Sequence, residues 1–565
     1  MKVIVVGGVA AGTKAAAKLK REDRNADIRI LTKGKDISYA GCGLPYYVSG
    51  VIREKKDLLV HTPESYEKVT GVPVEIRTEV TKVDRKGKTV EAVNLDTGAV
   101  ETYAYDKLVI ATGARPFEPD CPGTQLKNVF YMRTPEDADM LRQTVEAGEI
   151  RRAVIVGGGF IGLEIAENLA AKDVKVSAHA LELAQRIFDV FHALARFFGA
   201  HLELRHILPG FLDPEIADYV ENKLADAGVM CFTGTGLEEI LGEEKVEKVK
   251  PSRRAMKADA CILAMGIRPN TEFLQDAGLE MFKGALLTNQ ALQTNDPDIY
   301  AVGDCAMVTN RITGKPQWSP MGSTANIAGR AAAQHLAGKT VQYPGVLGTG
   351  VAKLAGFCMG RTGLLEQAAR EAGYDAESVI CVVDDKAHYY PGAALFVIKL
   401  IADRESHRLL GMQTVGTGAV DKLTDIAVTA ISMKATLEDL QYMDFAYAPP
   451  FSTAIHPLQH AVNILLNKLN GELDSMTAAE YAEEGENYRI VDAGITPSLH
   501  GYPYVDLNSL DGPADGLGRN EKLLLVCSKG KRAYLVQNRL KAYGYTDTKV
   551  LEGGMTFHTE LTEEE

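Results

Sequence analysis

Two cysteines in this 565-residue chain stand where a thiol can react. In SYAGCGLPYY, residues 38–47, Cys42 lies between two glycines and ahead of Leu44-Pro45. Proline is tolerated at the first position of a helix, so the spacing predicts a helix beginning just behind the thiol. A helix N-terminus stabilises a nearby anion, and the expectation is a thiolate nucleophile near neutral pH. In LLLVCSKGKR, residues 523–532, an apolar strand ends at Cys527 and four residues separate it from Arg532. A loop of backbone N–H groups can close around that sulfur, with Lys529, Lys531 and Arg532 adding positive charge. Such a site suits a thiolate or a persulfide anion.

The elements that must carry these groups are legible in the same text. KVIVV breaks into GGVAAG and then into the alanine- and lysine-rich TKAAAKLKRE, which reads as strand, turn, helix with glycines at Gly7, Gly8 and Gly12. Residues 152–171, RAVIVGGGFIGLEIAENLAA, repeat the pattern with a complete G-x-G-x-x-G at Gly157, Gly159 and Gly162. The glycines permit a tight turn and a close approach of backbone to pyrophosphate, and the helix that follows offers unpaired N–H groups to that charge. Two nucleotide-binding folds are implied. The first copy carries Val9 in place of the second glycine, and its next strand ends in Thr32 where a ribose-binding acid is usual.

Bulk properties narrow the class. The length implies about three to five domains. Hydrophobic residues at 46% and charged residues at 24% are ordinary for globular proteins. The formal charge of −13 and the lack of long basic runs weigh against nucleic acid or an anionic membrane as main partner. No stretch has the length of a membrane span, and MKVIVVGG does not fit a secretory leader, so the expected location is the cytoplasm. The eight cysteines include no C-x-x-C pair, which excludes a disulfide framework or zinc cluster and predicts no metal.

YDKLVIATGARP (106–116 from Asp106 onward) and TNDPDIYAVGDCA (294–306) are short strands ending in Thr-Gly and Gly-Asp. With the double glycine pattern, the chain to about residue 465 resembles the pyridine nucleotide-disulfide oxidoreductases, flavoproteins with two dinucleotide sites. The resemblance implies an FAD-binding domain from 1–115 and 255–335, an NAD(P)-binding domain at 116–254 and an α+β dimerisation domain at 336–465. It places FAD on Gly7, Gly8, Ala10, Ala11, Gly12, Thr32, Lys33, Ser38, Thr112, Gly113, Gly303 and Asp304, the last on the ribityl chain. It places NADH or NADPH on Gly157, Gly159, Phe160, Ile161, Gly162 and Glu182. Phe160 matches the position of a ring that covers the flavin, and Glu164 is placed either to orient the nicotinamide or only to complement the helix dipole. Residues 178–208 are some twenty residues longer than expected and read as an inserted surface helix. The insertion leaves the choice of nucleotide open: Glu182 favours NADH, whereas Arg205 or His206 would accommodate a 2′-phosphate.

Within the family, larger members carry a second cysteine five positions on, where this chain has Tyr47. Cys42 then cycles through a mixed disulfide, a persulfide or a sulfenic acid. SYAGCGLPYYVSG is similar to the coenzyme A disulfide and persulfide reductase branch, with Gly41 in place of an expected asparagine. HYYPG (388–392) and FAYAPPFS (445–452) agree with that branch, which implies a homodimer whose partner subunit brings Tyr447, and either Tyr389 or Tyr390, over the thiol. Lys14, Lys18 and Arg21 could meet the phosphates of CoA or form a solvated face.

From about 475 to 565 the text changes to short strands alternating with helices, an α/β domain of its own. Its C-x4-R loop and LEGG resemble a rhodanese domain, although VDAG lacks the arginine usual after Asp-Val. The expected activity is NAD(P)H-driven, FAD-dependent reduction of CoA disulfide, CoA persulfide or polysulfide at Cys42, with Cys527 handling sulfane sulfur. An NADH oxidase or peroxidase working through a sulfenic acid, and a non-catalytic flavoprotein sensor or sulfur-carrier scaffold, are the alternatives.

Overall fold

The computed structural model describes residues 1–181, 206–252 and 254–562, which form two compact units, Met1–Ile207 with Gly228–Val346 and Leu208–Ala227 with Leu347–Glu565. The first unit is built on two parallel five-stranded sheets. One has the order Ile299–Ala301, Lys107–Ile110, Lys2–Val6, Asp27–Leu31, Val74–Glu75. The other has the order Met230–Thr235, Lys175–Leu181, Arg152–Val156, Ala260–Leu263, Val129–Phe130. Strands buried on both faces read as continuous apolar runs, and Val3–Val6 and Ala153–Val156 are buried throughout.

Small residues let the helices close down. The helix Ala10–Glu22 buries Ala11, Ala15, Ala16 and Leu19. The helix Gly322–Leu336 packs on it so tightly that a Cβ at Gly329 would lie 2.6 Å from the Ala11 carbonyl oxygen.

The expected boundaries shift in two places. The strand Ala260–Leu263 pairs with Arg152–Val156, so the second sheet reaches past residue 254. The helix Pro214–Asp226, expected in the nicotinamide segment, falls in the second unit. There Asp213, Glu215 and Glu366 converge on Lys399, whose side chain is buried, and Gln413 donates to Asp213 at 2.6 Å. Burial opposes the Lys399 charge, but the three carboxylates overcome it and hold the ammonium above its usual range. This lysine sits among the acids that could otherwise have suggested a metal site.

The second unit contains an antiparallel sheet in the order Gly350–Leu354, Phe357–Gly363, Leu409–Gly416, Leu395–Asp403, Ala376–Asp384, covered by the helices Val420–Met433 and Pro457–Leu469. It also contains the C-terminal domain, a parallel sheet in the order Ser475–Met476, Thr548–Leu551, Leu523–Val526, Arg489–Asp492. The helix Lys531–Ala542 packs its Ala533, Val536 and Leu540 against that sheet. Among the described residues no helix is long and apolar enough to cross a membrane. All eight cysteines are free thiols.

Candidate active site

Cys42 sits in a single 3-10 turn, Gly41–Gly43, that runs directly into the helix Leu44–Val48 with Pro45 in its first turn. Leu44, Pro45, Tyr47 and Val48 are buried and anchor the helix against Pro135–Glu146 and Phe160–Ala170, while Cys42 remains exposed. A Cβ at Gly43 would stand 3.0 Å from Leu58, so glycine there lets the turn close. Gly41 has open space around it, and the asparagine expected there would fit. Tyr47 donates to Asp139 at 2.8 Å and takes part in packing.

The expected low thiol pKa does not follow from this surrounding. Although the residue as a whole is exposed, partial burial of its sulfur pushes the Cys42 thiol up, the charges of Glu164 and Asp304 add to that, and Arg133 opposes them. A helix of five residues carries too small a dipole to outweigh two carboxylates. Glu164 itself is pushed up to about 7 by burial, with Glu167 adding and a hydrogen bond with Tyr46 opposing.

The first glycine turn forms a tight cradle. Gly7, at φ +113°, would place a Cβ 2.1 Å from the Ala111 carbonyl oxygen, and Gly12 would place one 1.9 Å from the Gly7 oxygen. A Cβ at Gly8 would lie 3.2 Å from the buried Thr32, and the Gly8 carbonyl accepts from the Ser38 amide at 2.9 Å. Ser38 adopts a left-handed conformation, φ +49°. A Cβ at Gly303 would lie 3.0 Å from the Ala11 methyl, so glycine lets this segment carry Asp304 close to the first turn of the helix Ala10–Glu22. Thr112 and Asn270 exchange two hydrogen bonds, at 2.6 and 3.0 Å, beside Gly113. Lys33 is engaged by Glu79 at 2.8 Å. Lys18 pairs with Glu22, and Lys14 and Arg21 lie on the same helix.

The second turn copies the first. Gly157, at φ +128°, would place a Cβ 2.1 Å from the Ala264 oxygen, and Gly162 one 2.0 Å from the Gly157 oxygen, while Gly159 faces open space. Phe160 and Ile161 open the helix Phe160–Ala170. Glu182, Arg205 and the inserted helix lie outside the described residues; of the nucleotide-selecting candidates only His206 is within them.

In the second unit, the Tyr389 hydroxyl raises the Tyr447 phenol, while Tyr390 is tied through its amide to the Ala387 carbonyl. Cys527 ends the strand Leu523–Val526 and is buried. Two of the three expected cations beside it are compensated: Lys529 donates to Asp384 at 2.8 Å, and Arg532 to Asp506 and to the Ala493 carbonyl, both at 3.3 Å. Lys531 is exposed.

Sequence reasoning missed Arg133, which bonds Asp304 at 3.2 Å and whose charge acts on Cys42, and it missed Asn270 and Tyr46. The T-x-x-D capping box at Thr134 and Asp137 marks the helix that follows Arg133. Nothing local marks the arginine.

Residues 1–332 match the model for the pyridine nucleotide-disulphide oxidoreductase family, and residues 353–458 match that family's dimerisation domain. The chain belongs to this family. Its cofactors are accordingly FAD and NAD(P)H, and both turns fit them, since each occupies with glycine the positions where a side chain would collide with backbone. Among relatives, an NADH oxidase of Methanocaldococcus jannaschii is 34% identical, covering 84% of this chain and all of its own length. An NAD(P)H coenzyme A polysulfide/persulfide reductase of Pyrococcus horikoshii is 35% identical over 81% of this chain and 96% of its own. Two solved structures extend over the C-terminal domain as well. The persulfide reductase of A. fulgidus has TM-score 0.90, 34% identity and coverage of 99% and 100%. The Bacillus anthracis CoADR-RHD structure has TM-score 0.89, 30% identity and coverage of 99% and 98%. This family member therefore carries two Rossmann-type domains, a dimerisation domain and a rhodanese-like domain.

Proposed function

We propose that the chain is an NAD(P)H-dependent reductase of CoA disulfide, CoA persulfide or polysulfide that works through the single thiol of Cys42, with Cys527 carrying sulfane sulfur. One observation carries the reading: an exposed thiol in a glycine-flanked turn whose fifth following position, Tyr47, is bound to Asp139 and supplies no second sulfur. The names of relatives and solved structures that cover the same length, and the dimerisation-domain match, support it.

The Cys42 thiolate attacks the CoA-side sulfur of CoA persulfide. The Cys42–S–S–CoA bond forms as the outer S–S bond breaks, and hydrosulfide leaves. Gly7, Gly8, Gly12 and Asp304 would hold FAD, which would supply the electron pair, drawn from NAD(P)H, that the Cys42 mixed disulfide needs to return to two thiols. Glu164, neutral below about pH 7 and charged above it, sets how readily Cys42 gives up its proton. Tyr447 with its neighbour Tyr389, contributed by the second subunit of a homodimer, donates a proton to the leaving thiolate. Tyr389 is preferred over Tyr390 because its hydroxyl is the neighbour that raises the Tyr447 phenol. Exposed Met433, Tyr442, Tyr447 and Phe451 give that unit the apolar surface a dimer would cover.

The NADH oxidase reading has support in the Methanocaldococcus relative, which covers 84% of the chain, whereas the two solved structures that cover 99% are a persulfide reductase and CoADR-RHD. Steady-state NAD(P)H consumption with oxygen, peroxide, CoA disulfide and CoA persulfide offered separately tests the choice. Turnover of the CoA substrates that Cys42→Ser abolishes, with yellow FAD retained, is the expected result. Turnover of oxygen alone would establish the oxidase, and no turnover with any substrate would favour a scaffold.

A further inference from the structure

The strand Ala376–Asp384 is an edge of its sheet. It pairs along its whole length with Leu395–Asp403, and the groups on its other side require a different partner. The C-terminal domain supplies one. Glu552, from LEGG, is buried and accepts hydrogen bonds from the Ile380 amide at 2.8 Å and from Lys468 and Ser475 at 2.7 Å each. Two residues on, a Cβ at Gly554 would lie 2.1 Å from the Cys527 carbonyl oxygen. The amides of Met555 and Thr556 donate to the carbonyls of Cys527 and Ser528 at 3.1 and 3.0 Å.

The loop after Cys527 is reached from the same strand. Asp384, four positions beyond Ile380, accepts from Lys529 at 2.8 Å. Only Ser528, Lys529 and Gly530 separate Cys527 from the helix Lys531–Ala542, and Gly530 is left-handed at φ +83°. In so short a loop, fixing the lysine side chain restrains the backbone amides that must converge on sulfur. Arg532, at the far end, is fixed within its own domain by Ala493 and Asp506. Lys529 is fixed by a carboxylate from the interface sheet.

We infer that Asp384 is a positioning residue for the sulfur chemistry of Cys527 and acts through Lys529. The inference rests on Cys527 as sulfur carrier, as proposed above. The rhodanese-like domain is then an incomplete sulfur site by itself, finished by a residue of the dimerisation domain. Both side chains are about one-third exposed, which sets a modest size for the effect.

Thiosulfate and cyanide serve as probes on the full-length protein. The Cys527 thiolate attacks the outer sulfur of thiosulfate, forming Cys527–S–S⁻ as the bond to sulfite breaks and sulfite leaves. Cyanide removes the terminal sulfur as thiocyanate and restores the thiolate. Asp384→Asn should lower kcat for thiocyanate formation about fivefold, the equivalent of about 1 kcal/mol, leaving KM for thiosulfate unchanged. Asp384→Glu should recover most of the rate, Lys529→Gln should match the loss, and the double variant should be no worse than either single one. CoA disulfide reduction by Asp384→Asn should equal that of the wild type. Wild-type kcat in Asp384→Asn, losses that add in the double variant, or an equal fall in CoA disulfide reduction would each overturn the inference alone. Thiocyanate formation that survives Cys527→Ser would overturn it together with the role given to Cys527.

Discussion

Tyr47 donates its hydroxyl hydrogen to Asp139 at 2.8 Å and carries the Arg142 guanidinium 4.5 Å above its ring. The position where larger family members keep a second cysteine is thereby given to packing, in keeping with the proposal that Cys42 acts alone. Tyr47→Phe should cost about 2 kcal/mol, the range for a hydrogen bond to a charged group, while CoA disulfide turnover stays within about twofold. Denaturant unfolding and steady-state kinetics on the same preparation check both; a large loss of turnover at unchanged stability would give Tyr47 a chemical role.

Glu164 makes Cys42 sensitive to pH. Above about pH 7 its carboxylate faces the thiol and opposes ionisation. Glu164→Gln removes that charge, so alkylation of Cys42 by iodoacetamide should shift to lower pH and run several-fold faster at pH 8, with little difference at pH 5. The folded-state value lies above the ordinary 4.5, so the wild type's stability is fully present below about 4.5 and falls as pH rises through about 7. The variant should lack that loss. Identical urea midpoints for the two proteins at pH 8 would contradict the assignment.

Gly162 and Gly12 should separate the two cofactor sites. A Cβ at either would strike carbonyl oxygen at about 2 Å, from Gly157 and Gly7 respectively, and the helix would have to move off its turn. Gly162→Ala should remain yellow but lose at least about tenfold in the anaerobic bleaching of flavin absorbance by NADH. Gly12→Ala should fail to hold FAD. The reverse pattern would exchange the two sites.

Lys468 and Glu552 form a buried pair at 2.7 Å. Glu552→Ala leaves the lysine with Glu377 and the Ser378 carbonyl, and strips the Ile380 amide and the Ser475 hydroxyl of their acceptor. Breaking one partner of such a pair typically costs about 3–5 kcal/mol. Thermal unfolding should show the C-terminal domain melting earlier, and limited proteolysis should release it; a single unchanged transition would count against the anchoring role.

Much of the architecture was legible because its causes are local. The two strand–turn–helix units follow from β-branched runs broken by glycines whose missing side chains the turn geometry requires. The helix behind Cys42 follows from Pro45, and the loop after Cys527 from its spacing to Arg532. The boundary at 254 was misplaced because Ala260–Leu263 is a short apolar run like any other, and only pairing with Arg152–Val156 assigns it to a sheet. The helix Pro214–Asp226 likewise shows its apolar face in sequence but not the lysine that claims its first turn.

The sequence by itself determined which residues could react and which turns could hold nucleotides, since reactivity and steric freedom belong to residue types and their immediate neighbours. Tertiary structure alone decided how those groups behave. The thiol of Cys42 is pushed up by burial and by Glu164 and Asp304 against Arg133, and Lys529 is held by Asp384. Charge and burial act through space, between segments far apart in the chain, and no local pattern records them.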